Sequence, residues 1–395
     1  MLRPDTFALT ALLALLTALG PVAVDMYLPS FPDIGRLLGA SPATVQLTLS
    51  LYMVSYAAGQ IVYGPLSDRW GRIPVLRAAL AIYCAASLAC ALAPTIETLL
   101  AARALQALGS SGAIVLARAI VRDLYSGARA GRELSLMGAI MALAPVGAPM
   151  IGGVLQTAFG WRSHFVLQIA FGLIAALFVW RKLPETLRAQ TPGPFSGYRE
   201  IMRNRAVLAY IGMLAISFAG VFAWISGASF VLQEIYGLSA LQFGLAFAAA
   251  SGGYLAGTAL AARFVVRVGL DRTIGIGALA LAIGGLAAIA AIPLGGASAI
   301  PLVAAMALYA VGMGLLQPQT IAGAMMPFPH RAGTASSLVG VSQMVCAAIS
   351  GVIVGHLLGA SAWPVAVPLA LTGVATLVLW AVSRDVRARA AAHPH

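Results

Sequence analysis

Apolar and polar positions fall in long blocks along this chain, not in the short periods of a soluble protein. Each apolar run is long enough to cross about 30 Å of hydrocarbon as a helix, and short polar turns separate the runs. The pattern predicts spans near 7–28, 44–66, 73–93, 97–121, 134–158, 163–182, 206–232, 241–262, 273–293, 300–322, 333–357 and 361–383, twelve in all. Gly and Pro inside the runs are tolerated in membrane helices. No small-residue cleavage site follows the first run, which therefore reads as a retained span. The longest polar stretch holds Pro184, Pro192, Gly193 and Pro194 and divides the spans six and six. The expected fold is all-α and integral to the membrane, with two six-helix bundles at 1–182 and 206–395. A cytoplasmic linker at 183–205 joins them, and a short basic tail closes the second. Two bundles of this kind are the signature of a repeat-built transporter. Sequence similarity between the halves is weak, since Gly64 to Arg72 has only a degraded echo at Arg263 to Gly269.

Composition excludes the competing classes. Of 395 residues, 61% are apolar and 9% charged, against roughly 25% charged in a soluble protein. Gly has no collagen period, polar tracts are absent, and Cys84, Cys90 and Cys346 lie in apolar runs, so no disulfide framework is expected. The net charge of +12 does not imply nucleic-acid binding, because the basic residues sit in short patches with no basic helix and no zinc spacing. With the N-terminus inside, 21 of the 24 Lys and Arg face the cytoplasm, Arg36 and Arg162 face outward, and Arg103 falls within a span. That asymmetry places both termini in the cytoplasm.

Eleven of the twelve acidic residues fall in loops or at span ends, and Asp25 alone sits within an apolar run. A carboxylate at a helix centre costs about 2.5–3.5 kcal/mol on insertion. Asp25 is then either a hydrated group near the outer surface or a protonatable group facing a cavity. Arg103 lies at similar depth in the fourth span and is its natural counterpart, either in a structural ion pair or in proton coupling. Gln106 shares the Arg103 face at i+3. Tyr52, Tyr56, Gly59 and Tyr63 form a stripe that fits helix packing as well as cavity lining. Tyr27, Tyr52, Tyr56, Gln106, Trp224, Gln317 and Gln343 are the candidate substrate-cavity residues.

The loop between spans two and three reads Gly64-Pro-Leu-Ser-Asp68-Arg69-Trp-Gly71-Arg72-Ile73. It resembles the G-x-L-x-D-R-x-G-R-R signature of the major facilitator superfamily, with Ile73 in place of the last basic residue. Val24-Asp25-Met26-Tyr27-Leu28-Pro29 is similar to the first helix of the bicyclomycin-resistance subfamily of drug:proton antiporters. Arg103-Ala-Leu-Gln106-Ala-Leu-Gly109, continuing to Arg118 and Asp123, is similar to its fourth helix and the loop that follows. Pro145, Ala148, Pro149, Gly152 and Gly153 match the fifth-helix antiporter motif, with Ala148 where Gly is usual. Resemblance is dense in the first half and thinner in the second, at 231–237 and at Gly333 to Ser337. It implies that Asp68 meets the positive end of the eleventh helix near Gly333 and biases an inward–outward equilibrium.

The resemblance points to proton-driven efflux of small, moderately apolar drugs of bicyclomycin, phenicol or sulfonamide type. Its partners would be drug, protons and the lipid bilayer, and the protein would act as a monomer in the bacterial inner membrane. No nucleotide-binding loop occurs, so no cofactor is expected and the proton gradient is the energy source. No metal site is expected. A solute–proton symporter on the same fold is the alternative. A membrane-embedded enzyme is excluded, because no His-Glu-x-x-His, buried acidic pair or nucleophile–base pair is present.

Overall fold

The computed structural model describes residues 7–125, 127–187, 198–328, 332–359 and 361–392. The chain divides into two compact units, Met1–Pro194 and Phe195–His395. In the first, α1 (Phe7–Asp25) is followed by a short 3₁₀ turn (Leu28–Ser30) and α2 (Phe31–Leu38). The remaining helices of this unit are α3 (Pro42–Trp70), α4 (Arg72–Leu92), α5 (Ile96–Leu124), α6 (Gly127–Phe159) and α7 (Arg162–Lys182). The second unit holds α8 (Tyr198–Ile201), α9 (Arg205–Phe230) continued by a π-helical turn (Val231–Ile235), α10 (Ala240–Val268), α11 (Leu270–Gly295), α12 (Ile300–Met325), α13 (Ala332–Leu357), α14 (Trp363–Val382) and α15 (Arg384–Ala392).

Among the described residues, eleven helices are long and apolar enough to cross a membrane. The span expected at 134–158 falls on α6, whose described apolar portion is Leu143–Phe159. Leu88, Val166, Leu286, Leu371 and Val378 are exposed on the helix surfaces, where only an apolar solvent would leave them undisturbed. Helix starts follow local chemistry. Ser41 and Asn204 accept N–H bonds at the heads of α3 and α9, and capping boxes at Thr95/Thr98 and Ser239/Gln242 open α5 and α10.

The first span differs from expectation. Its apolar path runs over Ala8–Leu38, not to residue 28, and the helix breaks partway at Asp25. Pro29 and Pro32 lack the N–H groups a continuous helix would need. The Tyr27 N–H that would reach Ala23 O goes to Val24 O instead, at 3.3 Å. Asp25 therefore lies at the break in this path.

One acid outside the apolar runs is nevertheless buried. Glu133 lies inside α6, is buried, and accepts a hydrogen bond from Thr10 Oγ1 at 3.0 Å. It was expected at a span end because α6 starts several residues before its apolar run. Gly64 sits within α3, so the turn between α3 and α4 rests on Gly71 alone, at φ 93°.

Candidate functional site

In the first unit, α5 packs against both α3 and α4 and also touches α1. That arrangement surrounds one guanidinium. Arg103 is fully buried and lies between two tyrosine faces, its Cζ 4.6 Å from the Tyr27 ring centroid and 4.3 Å from that of Tyr52. A desolvated cation–π contact is worth about 2 kcal/mol. Arg103 Nη1 donates to Ala23 O at 3.1 Å, the carbonyl that the break in α1 leaves open, and to Gln106 Oε1 at 2.6 Å. Gln106 Nε2 in turn donates to Ser87 Oγ at 2.8 Å and Gln168 Oε1 at 2.7 Å. The Tyr52 hydroxyl meets Ser110 Oγ at 2.7 Å, and that of Tyr27 meets Thr48 Oγ1 at 3.1 Å.

Asp25 is 4% exposed. Among the described residues it forms no ion pair with Arg103, and no hydrogen bond reaches its carboxyl oxygens. The structure thus brings Arg103 onto the α1 backbone at Ala23, two residues before Asp25, yet leaves the two charges unpaired among the described residues. The guanidinium takes aromatic faces and carbonyls instead of the carboxyl.

The other candidates divide between this cluster and ordinary packing. Tyr56 stacks on Tyr52 at 6.0 Å and lies over Gly20, while Tyr63 lies against Gly112 and Gly59 against Ser111. In the second unit, Trp224 packs on Phe247 at 6.5 Å, and among the described residues its indole N–H has no acceptor. Gln317 accepts from the Tyr254 hydroxyl at 2.9 Å, and Gln343 is buried in α13.

The antiporter motif meets the break directly. Pro145 and Pro149 lie within a continuous α6, and Ala148, Gly152 and Gly153 are buried. A Cβ at Gly152 would lie 2.2 Å from Met26 O, so only Gly allows α6 to touch the backbone beside Asp25. Next to this contact, Ser30 Oγ donates to Gln156 Oε1 and meets His164 Nε2, each at 2.5 Å. His164 is fully buried, although its position at a span end gave no sign of it.

At the opposite end, Arg72 gathers the loop motif. Its Nη1 donates to Asp68 Oδ1 at 2.5 Å and Ser67 Oγ at 2.7 Å, and its Nε donates to Asp123 Oδ2 at 3.0 Å. Arg69 and Arg118 are exposed. The expected meeting of Asp68 with the segment near Gly333 falls on side chains outside the described residues. Sequence reasoning missed Glu185. Its carboxylate accepts from the backbone N–H groups of Arg72, Thr186, Leu187 and Ile73 at 2.9–3.1 Å. Burial raises the Glu185 carboxyl, but these four donors outweigh it and hold the group below the usual carboxylate range. The signal available was an acid directly after the sixth span; Gln168, a polar residue inside an apolar run, could likewise have been found. Among the described residues, no group of three or more His, Cys, Asp or Glu could hold a metal ion.

The sequence matches the family model described as Major Facilitator Superfamily over residues 13–351. It is 29% identical to the bicyclomycin resistance protein homolog of Haemophilus influenzae, covering 98% of this chain and 99% of that one. It is 31% identical to the chloramphenicol resistance protein of Pseudomonas aeruginosa, covering 97% and 92%. Among solved structures, the D-xylose-proton symporter superposes with a TM-score of 0.77 at 16% identity, covering 95% of this chain and 97% of that one.

Proposed function

Because the chain belongs to the Major Facilitator Superfamily, we propose that it is a twelve-span exporter that exchanges protons for small, moderately apolar drugs by alternating access. Membership makes it a small-molecule transporter of the membrane and not an enzyme. The relatives named for bicyclomycin and chloramphenicol resistance make those compounds, with sulfonamides, the first probes. A bacterial inner membrane supplies the driving force, about 2.3 kcal/mol per proton for every 100 mV.

The cluster around Asp25 and Arg103 carries the reading. Asp25 is the proton carrier and Arg103 the group that tunes it. Desolvation disfavours the charged carboxylate and a guanidinium at contact distance favours it. A motion that alternately hydrates Asp25 and changes its distance from Arg103 therefore makes its proton affinity alternate, as antiport requires.

The test is the lumenal pH of proteoliposomes on addition of chloramphenicol or bicyclomycin. Inward drug movement through an antiporter drives protons out, so the lumen becomes alkaline; a symporter would make it acidic. Asp25→Asn is expected to abolish the signal, and Arg103→Ala to impair it. Normal exchange in Asp25→Asn would place the carrier elsewhere.

A further inference from the structure

The two tyrosines around Arg103 do more than fill space. Arg103 offers five N–H donors, yet among the described residues only Nη1 is engaged, while Nε and Nη2 are buried without a partner. The Nε/Nη2 edge is the fork that grips a carboxylate with two parallel bonds. Asp25, two residues along α1 from the carbonyl that Arg103 holds, is buried as well. An ionised carboxylate buried without an ion pair would be strongly disfavoured, so this arrangement belongs to the protonated form of Asp25.

We infer that Tyr27 and Tyr52 are positioning residues that park Arg103: their ring faces hold the guanidinium off Asp25 while the carboxyl keeps its proton, and yield it when the carboxylate forms. The inference rests on Asp25 being the proton carrier. Both rings are fixed from outside the contact. Tyr27 is flanked by Phe31 at 5.0 Å and Phe165 at 5.6 Å, and Tyr52 by Tyr56 at 6.0 Å. Their hydroxyls are tied to Thr48 and Ser110, so neither needs to move for Arg103 to leave.

The remaining titratable groups do not replace the rings in this role. Tyr83 and Cys90 on α4 are buried, but a phenol and a thiol carry no charge near neutral pH. His164 on α7 meets Ser30, Glu133 on α6 is bonded by Thr10, and Arg36 pairs with Asp33 on α2. Transfer of Arg103 moves no proton itself; the proton leaves the Asp25 carboxyl for water, and the guanidinium then takes the carboxylate.

The experiment needs no drug. In lipid-reconstituted protein, an infrared pH titration follows the carboxyl C=O band, and Asp25→Asn identifies the part belonging to Asp25. Tyr52→Leu removes the ring face and frees Arg103 for the carboxylate. Its midpoint is expected to fall by about one pH unit or more, from the size of a desolvated cation–π contact. Tyr52→Phe keeps the face, loses only the hydroxyl, and is expected to titrate where the wild type does. Should Tyr52→Leu fail to accumulate, Tyr27→Leu and Tyr27→Phe make the same comparison. An unmoved midpoint in the Leu variant, or an equal fall in the Phe variant, would overturn the inference. Absence of any band lost in Asp25→Asn would instead remove Asp25 as the carrier.

Discussion

In each unit, one of the corners between long helices that turn through a glycine of positive φ is braced by charge: Gly71 at 93° between α3 and α4, and Gly269 at 85° between α10 and α11. Each corner is also tied to chain lying beyond the last long helix of its unit, but the charges are used in opposite ways. In the first, an acid from beyond the helix, Glu185, caps the head of α4, and the arginine of the loop, Arg72, holds two carboxylates. In the second, the loop supplies the acid, Asp271, and a base from beyond the helix, Arg387, reaches back to it at 2.8 Å. Trp380 adds an N–H bond to Asp271 O at 3.1 Å. A repeated architecture thus keeps the brace while exchanging its sign, which is why a search for repeated residues finds little.

The largest expected difference between the corners comes from removing each arginine. Arg72→Ala strands Asp68 and Asp123, whose side chains are 28% and 19% exposed, at a cost of about 3 kcal/mol. Arg387→Ala strands Asp271, which is 43% exposed and regains water, at a cost of about 1 kcal/mol. Thermal unfolding of detergent-solubilised protein measures both; equal losses would show that the two braces are equivalent.

The glycines sharpen the contrast. Either one changed to Ala meets backbone strain of about 1–3 kcal/mol. Gly71→Ala must in addition displace Glu185 Oε2, which would lie 2.6 Å from the new Cβ, whereas nothing lies within 4 Å at Gly269. The Gly71 variant is therefore expected to melt lower than the Gly269 variant, and the reverse order would break the argument.

The smallest effect is Glu185→Gln, which keeps one acceptor oxygen and loses the charge. The carboxylate is exposed, so its bonds are discounted for screening to about 1 kcal/mol. Its folded-state proton affinity is lowered, so its contribution is complete above the ordinary glutamate value of 4.5 and is lost as pH falls further. The difference between wild type and Glu185→Gln is expected at neutral pH and should vanish in acid.

Most of this architecture was legible because apolar runs long enough to span a bilayer have few other uses. Asp25 and Arg103 stood out for the same reason, as charges in runs that contain almost none. What was not legible depends on tertiary neighbours. The Arg103–tyrosine contacts join residues whose spacing says nothing about facing, and the extension of the first span past Leu28 was hidden by Pro29 and Pro32. Glu133, Glu185 and Arg387 lie at or beyond span ends, where a charge ordinarily needs no explanation.

The break in α1 has a consequence for biosynthesis. Ala23 O gives up its helical partner and receives Arg103, a residue 80 positions later in the chain. When α1 emerges from the ribosome, the fourth span that completes it does not yet exist. Until α5 arrives, that open carbonyl lacks the donor it has in the folded protein. A chain arrested before Arg103 is therefore expected to hold its first helix less firmly in the membrane than one arrested just after Leu124, which arrest at the two lengths followed by membrane extraction measures.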